Sequence, residues 1–136
     1  MHRWLLLLPA LFLLVASPAP AEVHVVTQQG ISFNPQTVII VEGDTVRWVW
    51  TAGSHTVTSG TGSGDPNQGA LFDSPLTSGV PVFEYTFNTV GNYPYFCWPH
   101  EAFGMTGTVL VAAPTPTEPT TWGAIKKLYE DAPERN

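Results

Sequence analysis

The sequence is short of three things, and each shortage closes off a class of protein. It has a single cysteine, Cys97, in 136 residues, so no internal disulfide can brace it. It has five basic residues against eleven acidic ones, for a net charge of −6. Between Glu22 and Ala113 the only base is Arg47, set against seven acids. Phosphate neutralisation needs clustered Lys and Arg, so a nucleic-acid partner is excluded. The third shortage is of long hydrophobic runs. The one apolar stretch, Trp4 to Val15, is interrupted by Pro9 and falls short of the roughly 20 residues of a membrane span.

That stretch reads as a secretory signal. His2 and Arg3 precede it, and Ala19-Pro20-Ala21 follows as a small-x-small cleavage site. Cleavage near Ala21/Glu22 is expected, giving a periplasmic or secreted chain. No cysteine stands directly after the run, so no lipid anchor is expected. The remaining 136 − 21 = 115 residues suit one domain with a modest core. They keep all 11 acids and lose Arg3, so the charge becomes 4 − 11 = −7. An acidic surface steers a domain toward a partner with a basic patch.

From Glu22 to Ala113 the pattern is β. Val23–Thr27 and Thr37–Val41 are β-branched runs, and Glu42-Gly43-Asp44 signals a turn after the second. Thr45–Trp50 alternates, with Val46, Trp48 and Trp50 on one face, and Val82–Phe87 alternates too. Tyr93–Cys97 and Gly107–Val111 complete the set. No stretch keeps a 3.6-residue period, and there are no internal repeats. Short strands with frequent turns predict an all-β sandwich or barrel. Ser59–Gly69, rich in Gly, Ser, Asp and Asn, reads as an exposed, mobile loop; Leu71 and Phe72 are expected to return the chain to the core. The organisation is thus 1–21 signal peptide, 22–113 folded domain and 114–136 tail. The tail opens with a Pro/Thr linker. Trp122, Ile125 and Tyr129 then share one face of a short amphipathic helical pattern.

The lone cysteine stands in Cys97-Trp98-Pro99-His100-Glu101-Ala102-Phe103-Gly104-Met105. A soft thiolate, an imidazole and a thioether fall within one short loop. A second imidazole, His55, follows the Thr45–Trp50 strand after Thr51-Ala52-Gly53-Ser54, where Gly53 lets the backbone bend. Two His and one Cys with a weak axial Met match a blue-copper ligand set. Soft sulfur suits Cu(I) and imidazole suits either oxidation state, so little must move when an electron arrives. Taken singly, Cys97 and Met105 are more often buried filler, and the His residues surface groups; the spacing is what joins them. His24 has no such neighbours and reads as a solvent-facing strand residue. Glu101 reads as surface, and Trp48 and Trp50 as core and rim.

The chain here resembles the small blue copper proteins, or cupredoxins, in the plastocyanin and pseudoazurin branch. The likeness rests on Phe33-Asn34-Pro35, Gly43–Trp48, Ser54-His55-Thr56-Val57, Gly91–His100 and Gly104–Val109. It covers nearly all of Glu22–Ala113 and none of the tail. The resemblance implies a Greek-key β-sandwich of about eight strands, with His55, Cys97, His100 and Met105 as ligands to one copper ion. It also implies that the Thr56 backbone N–H reaches the thiolate. Pro99, which lacks an N–H, stiffens the ligand loop. Two residues depart from the pattern. Phe96 stands where many plastocyanins carry an exposed Tyr, which argues against a remote docking patch. Trp98 is bulky where a small residue is common. The exit for an electron is then expected at the His100 edge, within an apolar rim of Pro99, Ala102 and Phe103.

The implied function is a soluble one-electron carrier between two redox proteins, a donor and an acceptor. The carrier is expected to be a monomer with no membrane span. Copper oxidases and nitrite reductases share the fold but need further His-rich centres. After cleavage only His24, His55 and His100 remain, so enzyme activity is not expected. Copper delivery, or an accessory cupredoxin module, is the alternative. Delivery favours Met- or His-rich exposed tracts, and the processed chain holds a single Met.

Overall fold

The computed structural model describes residues 20–115. The expected signal segment and the tail with Trp122, Ile125 and Tyr129 lie, apart from their inner ends, outside the described residues.

Among the described residues nine strands form two sheets. They are β1 (Val23–Gln29), β2 (Ser32–Asn34), β3 (Thr37–Val41), β4 (Thr45–Val49), β5 (His55–Ser59), β6 (Asp73–Leu76), β7 (Val82–Thr86), β8 (Gly91–Phe96) and β9 (Thr106–Ala112). One sheet runs β2-β1-β4-β7 and the other β3-β9-β8-β5-β6. β1 pairs with β4, and β3 with β9, in parallel; the other ladders are antiparallel. Alternation decides which face each strand buries. β9 buries Gly107, Val109 and Val111, and β4 buries Val46 and Trp48, while the residues between them face outward. The structure is an all-β sandwich, as expected, and not a closed barrel.

Trp48 is fully buried and stands within 5.5 Å of Phe72 and Phe83 and 5.3 Å of Tyr95, centroid to centroid. Burying rings of this size dominates the energetics of so small a core. Trp50, at the end of the same face, is half-buried. Leu71 departs from expectation: it is exposed, and only Phe72 enters the core.

His24 also departs from the expectation of a free, solvent-facing residue. Its Nε2 lies 2.9 Å from Asp44 Oδ2. Asp44 is buried and also accepts from the Glu22 and Val41 backbone N–H groups, at 2.8 and 3.1 Å. Burial pushes its carboxyl up, but these donors together outweigh burial and hold it below the usual carboxylate value. The pairing was hidden because β1 reaches the Val41–Asp44 turn only through the parallel β1–β4 ladder.

Candidate metal centre

β8 ends at Phe96, and Cys97 begins a 3-10 turn over Trp98–Phe103. Pro99 suits the first turn because its missing N–H has no partner to lose there. The Cys97 carbonyl accepts from the His100 N–H at 3.1 Å, and the His100 carbonyl accepts from the Met105 N–H at 3.2 Å. Gly104 closes the turn at φ 81°, a left-handed conformation that glycine adopts without strain. The Cys97 N–H then donates to the Met105 carbonyl at 3.0 Å. These bonds fold the nine-residue run into a closed loop, with Cys97 and Met105 fully buried at its base.

His55 arrives at the start of β5, with only 4% of its surface exposed. Its Nδ1 lies 3.7 Å from Cys97 Sγ, and His100 Nδ1 lies 3.4 Å from the same sulfur. The three donor atoms all fall within 4.8 Å of one another. Bonds of about 2.0 Å to nitrogen and about 2.3 Å to sulfur, opened at about 120°, separate the two donors by about 3.7 Å. The donor set therefore fits one metal ion in trigonal His₂Cys coordination. The Met105 side chain is buried with Cys97 in the same cluster.

The surroundings set the state of each donor. His55 Nε2 lies 3.1 Å from the Ala52 carbonyl, which can only accept, so that nitrogen carries the proton. Burial, and then the neighbouring His100, hold its pKa below the usual value, against the opposing pull of the Ala52 carbonyl. The ring is thus neutral, with its lone pair on Nδ1 toward the sulfur, the state a metal needs. Burial pushes the Cys97 thiol up, partly offset by the Thr56 N–H, which donates to Sγ at 3.4 Å. A coordinated ion would reverse that by deprotonating the thiol outright. The Thr56 bond stands where the resemblance implied it.

Gln28 is the functional residue that sequence reasoning missed. Only 1% of it is exposed. Its Oε1 accepts from the backbone N–H groups of Thr51 and Ala52 at 2.9 and 3.1 Å, and from the Thr51 hydroxyl at 3.0 Å. Its Nε2 donates to the Gly30 carbonyl at 2.7 Å. Gln28 therefore fixes the turn whose Ala52 carbonyl orients His55. Gly53, at φ 82°, bends that turn; a Cβ there would sit 3.0 Å from His55 Nε2.

His100 is half-buried. A shallow depression over the two imidazoles is bordered by Ile31, Gly53, Ser54 and Pro99. Ile31 and Phe103 are exposed, Phe103 at 72%, and Pro99 and Ala102 are exposed as well. Of the expected apolar rim, Pro99 borders the depression beside His100, and Ile31, from the β1–β2 turn, joins it there.

A family model of copper binding proteins, plastocyanin/azurin family, matches residues 21–112. The chain belongs to that family. It is 38% identical over 96 residues to a halocyanin of Natronomonas pharaonis, a match covering 66% of this chain and 56% of that protein. It is 33% identical over 105 residues to a chloroplastic plastocyanin of Tetradesmus obliquus, covering 74% of this chain and 72% of the other. Amicyanin from Paracoccus versutus superposes with a TM-score of 0.51 at 26% identity, over 71% of this chain and 85% of amicyanin. Oxidized plastocyanin from Dryopteris crassirhizoma superposes with a TM-score of 0.54 at 22% identity, over 65% of this chain and all of that one, which bears on the fold alone. Copper is the cofactor that the family and the His-Cys-His donor set support, one ion per chain.

Glu101 lies at the surface, as expected, where its Oε1 accepts the Ser63 N–H at 2.8 Å and ties the ligand loop to the Ser59–Gly69 segment. That segment is itself bonded through. Asp65 accepts from the Thr61 and Asn67 N–H groups, and Gly60 and Gly69 donate to the Pro94 and Ser59 carbonyls. The segment is a largely exposed loop, as expected, and it carries these bonds. Phe96 is buried, so no exposed aromatic stands before the cysteine.

Proposed function

We propose that this chain is a type 1 blue copper protein that carries single electrons between a donor and an acceptor redox protein. His55, Cys97, His100 and Met105 are the residues that would hold the copper ion, the two imidazoles and the thiolate supplying the main donors and the Met105 thioether a weak one. The observation that carries the reading is the convergence of His55 Nδ1, Cys97 Sγ and His100 Nδ1 within 4.8 Å in a copper-binding family. Copper, when bound, supplies a Cu(I)/Cu(II) couple with no proton or atom to transfer. The residues do the rest. The Ala52 carbonyl holds the His55 tautomer, the Thr56 N–H stabilises sulfur charge, and the closed Cys97–Met105 loop keeps the donors in place for either oxidation state.

The His100 edge is the route for the electron. Pro99, Ala102, Phe103 and Ile31 around it form an apolar collar suited to a brief encounter. Substrate turnover is not part of the proposal, since one site uses both histidines that converge. The copper-delivery alternative gains no support from a site in which three of the four residues, His55, Cys97 and Met105, are buried. The proposal includes a signal peptide at 1–21, a copper domain at 22–113, a separate tail at 114–136, a location outside the cytosol and a monomeric state. Among the described residues no helix is long and apolar enough to cross a membrane.

Adding Cu(II) to the purified copper-free chain tests the function. An intense blue colour, bleached reversibly by a mild reductant and exchanging electrons rapidly with a second redox protein, is the expected result. A colourless product removes the carrier reading. Colour with copper handed over to a chelator on reduction favours delivery.

A further inference from the structure

β5 carries two threonines on the sheet face turned away from the core. Val57 between them is fully buried in the core cluster, so the two-residue period of a strand sends Thr56 and Thr58 to the other face. A threonine on an outer face ordinarily meets water. Thr58 is only 1% exposed. Across the ladder it faces Phe96. Phe96 is fully buried yet outside the core cluster, because Tyr95 and Cys97 take the inward positions on either side. Trp98 lies 6.0 Å from Phe96, centroid to centroid. These two rings are the residues that depart from the plastocyanin pattern, and they stand beside the hydroxyls.

The hydroxyls form a chain with one direction. The Trp98 N–H, the first amide after Cys97, donates to Thr56 Oγ1 at 2.9 Å. Thr56 Oγ1 and Thr58 Oγ1 are 3.1 Å apart. The Thr58 hydroxyl donates to Asp73 Oδ1 at 2.8 Å. An amide only donates and a carboxylate only accepts. The middle bond must therefore run from the Thr56 hydroxyl to the Thr58 oxygen, and each hydroxyl accepts once and donates once. Bonds in line polarise one another, and more so where water is excluded. The same Thr56 gives its backbone N–H to Cys97 Sγ at 3.4 Å.

We propose that Asp73 is a positioning residue for the metal centre, acting through Thr58 and Thr56 to hold the Trp98 amide and the Thr56 N–H in place around the Cys97 sulfur. Asp73 sits on β6, the edge strand, paired with Thr58. It touches none of the four ligands. Its influence on the sulfur passes through hydrogen bonds, which makes the acceptor atom, and not the charge alone, the part that matters.

The first test needs no copper, so its outcome stands apart from that of the copper proposal. In the copper-free chain at neutral pH, amide exchange at Trp98 is measured in wild type, Thr58→Val, Asp73→Ala, Asp73→Asn and the Thr58→Val/Asp73→Ala double variant. Exchange should quicken about threefold in Thr58→Val and Asp73→Ala, the size expected for weakening part of one hydrogen bond. The double variant should be no faster than either single, because one chain is broken once. Asp73→Asn keeps a carbonyl acceptor and should stay near wild type. The second test, which rests on the copper reading, follows the thiolate-to-copper band and the reduction potential. Both should move in Thr58→Val and Asp73→Ala and hold in Asp73→Asn. Wild-type exchange in Thr58→Val, summed effects in the double variant, or an Asp73→Asn that matches Asp73→Ala would each overturn the proposal. Should Thr58→Val not fold, Asp73→Ala at its exposed position carries the same test, and Thr58→Ser should behave as wild type.

Discussion

Gln28→Met isolates the support behind His55. Methionine is close to glutamine in size and lacks the amide, so packing changes little while the polar contacts go. Three bonds to the amide have no substitute in the fold: Nε2 to Gly30, and the Thr51 and Ala52 N–H groups to Oε1. The Thr51 hydroxyl retains its 2.6 Å bond to the Gln28 carbonyl. At about 1 kcal/mol per bond the sum is about 3 kcal/mol. Thr51 and Ala52 are exposed, so water repairs part of it, leaving about 2 kcal/mol. Urea unfolding of the copper-free protein should show a midpoint lowered by roughly 1–2 M. Copper affinity, measured by competition with a chelator, should fall about tenfold, because the Ala52 carbonyl no longer has a fixed position from which to orient His55. The reasoning fails if stability falls as calculated while affinity changes less than about twofold. Gln28 would then support the sandwich and not the ligand.

The remaining predictions concern the ligands and the N-terminal strand. Met105→Leu should keep the blue colour but shift the reduction potential, since a weak axial ligand tunes the site; voltammetry showing an unchanged potential rules Met105 out as the axial ligand. Cys97→Ala should abolish the colour, and undiminished absorption with Cu(II) bound would exclude Cys97. Asp44 governs an acid limb of stability. Its carboxyl is held below the usual value in the fold, so its contribution is complete above about pH 4, the unfolded value, and drains away as pH falls through the lower folded value. Asp44→Asn should therefore lower stability at pH 7 and flatten that acid limb in urea titrations; a variant with the wild-type slope below pH 4 contradicts this.

The candidate site was legible where its bonds are local. Cys97, His100 and Met105 lie in one run closed by its own backbone bonds, so spacing alone gathers them. His55 was reached through the strand and turn before it. Gln28 was not reachable, because its partners at Thr51 and Ala52 stand 23 and 24 residues away and nothing in a single Gln announces burial. β2 was visible only in the resemblance of Phe33-Asn34-Pro35. β6 gives no strand signal because Pro75 stands inside it, which an edge strand tolerates and a central one does not. β5 is polar at every position but Val57, and Thr58 on its outer face is buried opposite Phe96, which only the β5–β8 pairing brings there. The bonds of the Ser59–Gly69 loop were hidden for a related reason. Gly, Ser, Asp and Asn mark turns, and they do not say whether those turns are bonded to the rest of the fold.

The two imidazoles divide the work of the centre. His55 is sealed, its outer nitrogen bonded to Ala52 and that turn pinned by Gln28. Cys97 is sealed beside it, with the Thr56 N–H on its sulfur. His100 alone of these reaches the surface, beside the apolar Pro99 and Ile31. A site built this way separates two demands that conflict when one residue must serve both. In the proposed carrier, the sealed side would keep the donors in one geometry, so the energy of moving an electron would depend on groups that a docking partner never touches. The exposed edge would then need only a close, quickly released contact, so apolar residues there could match the proposed partner without disturbing the thiolate. Changes on the sealed side should therefore appear in potential and copper affinity, and changes in the collar in encounter rates.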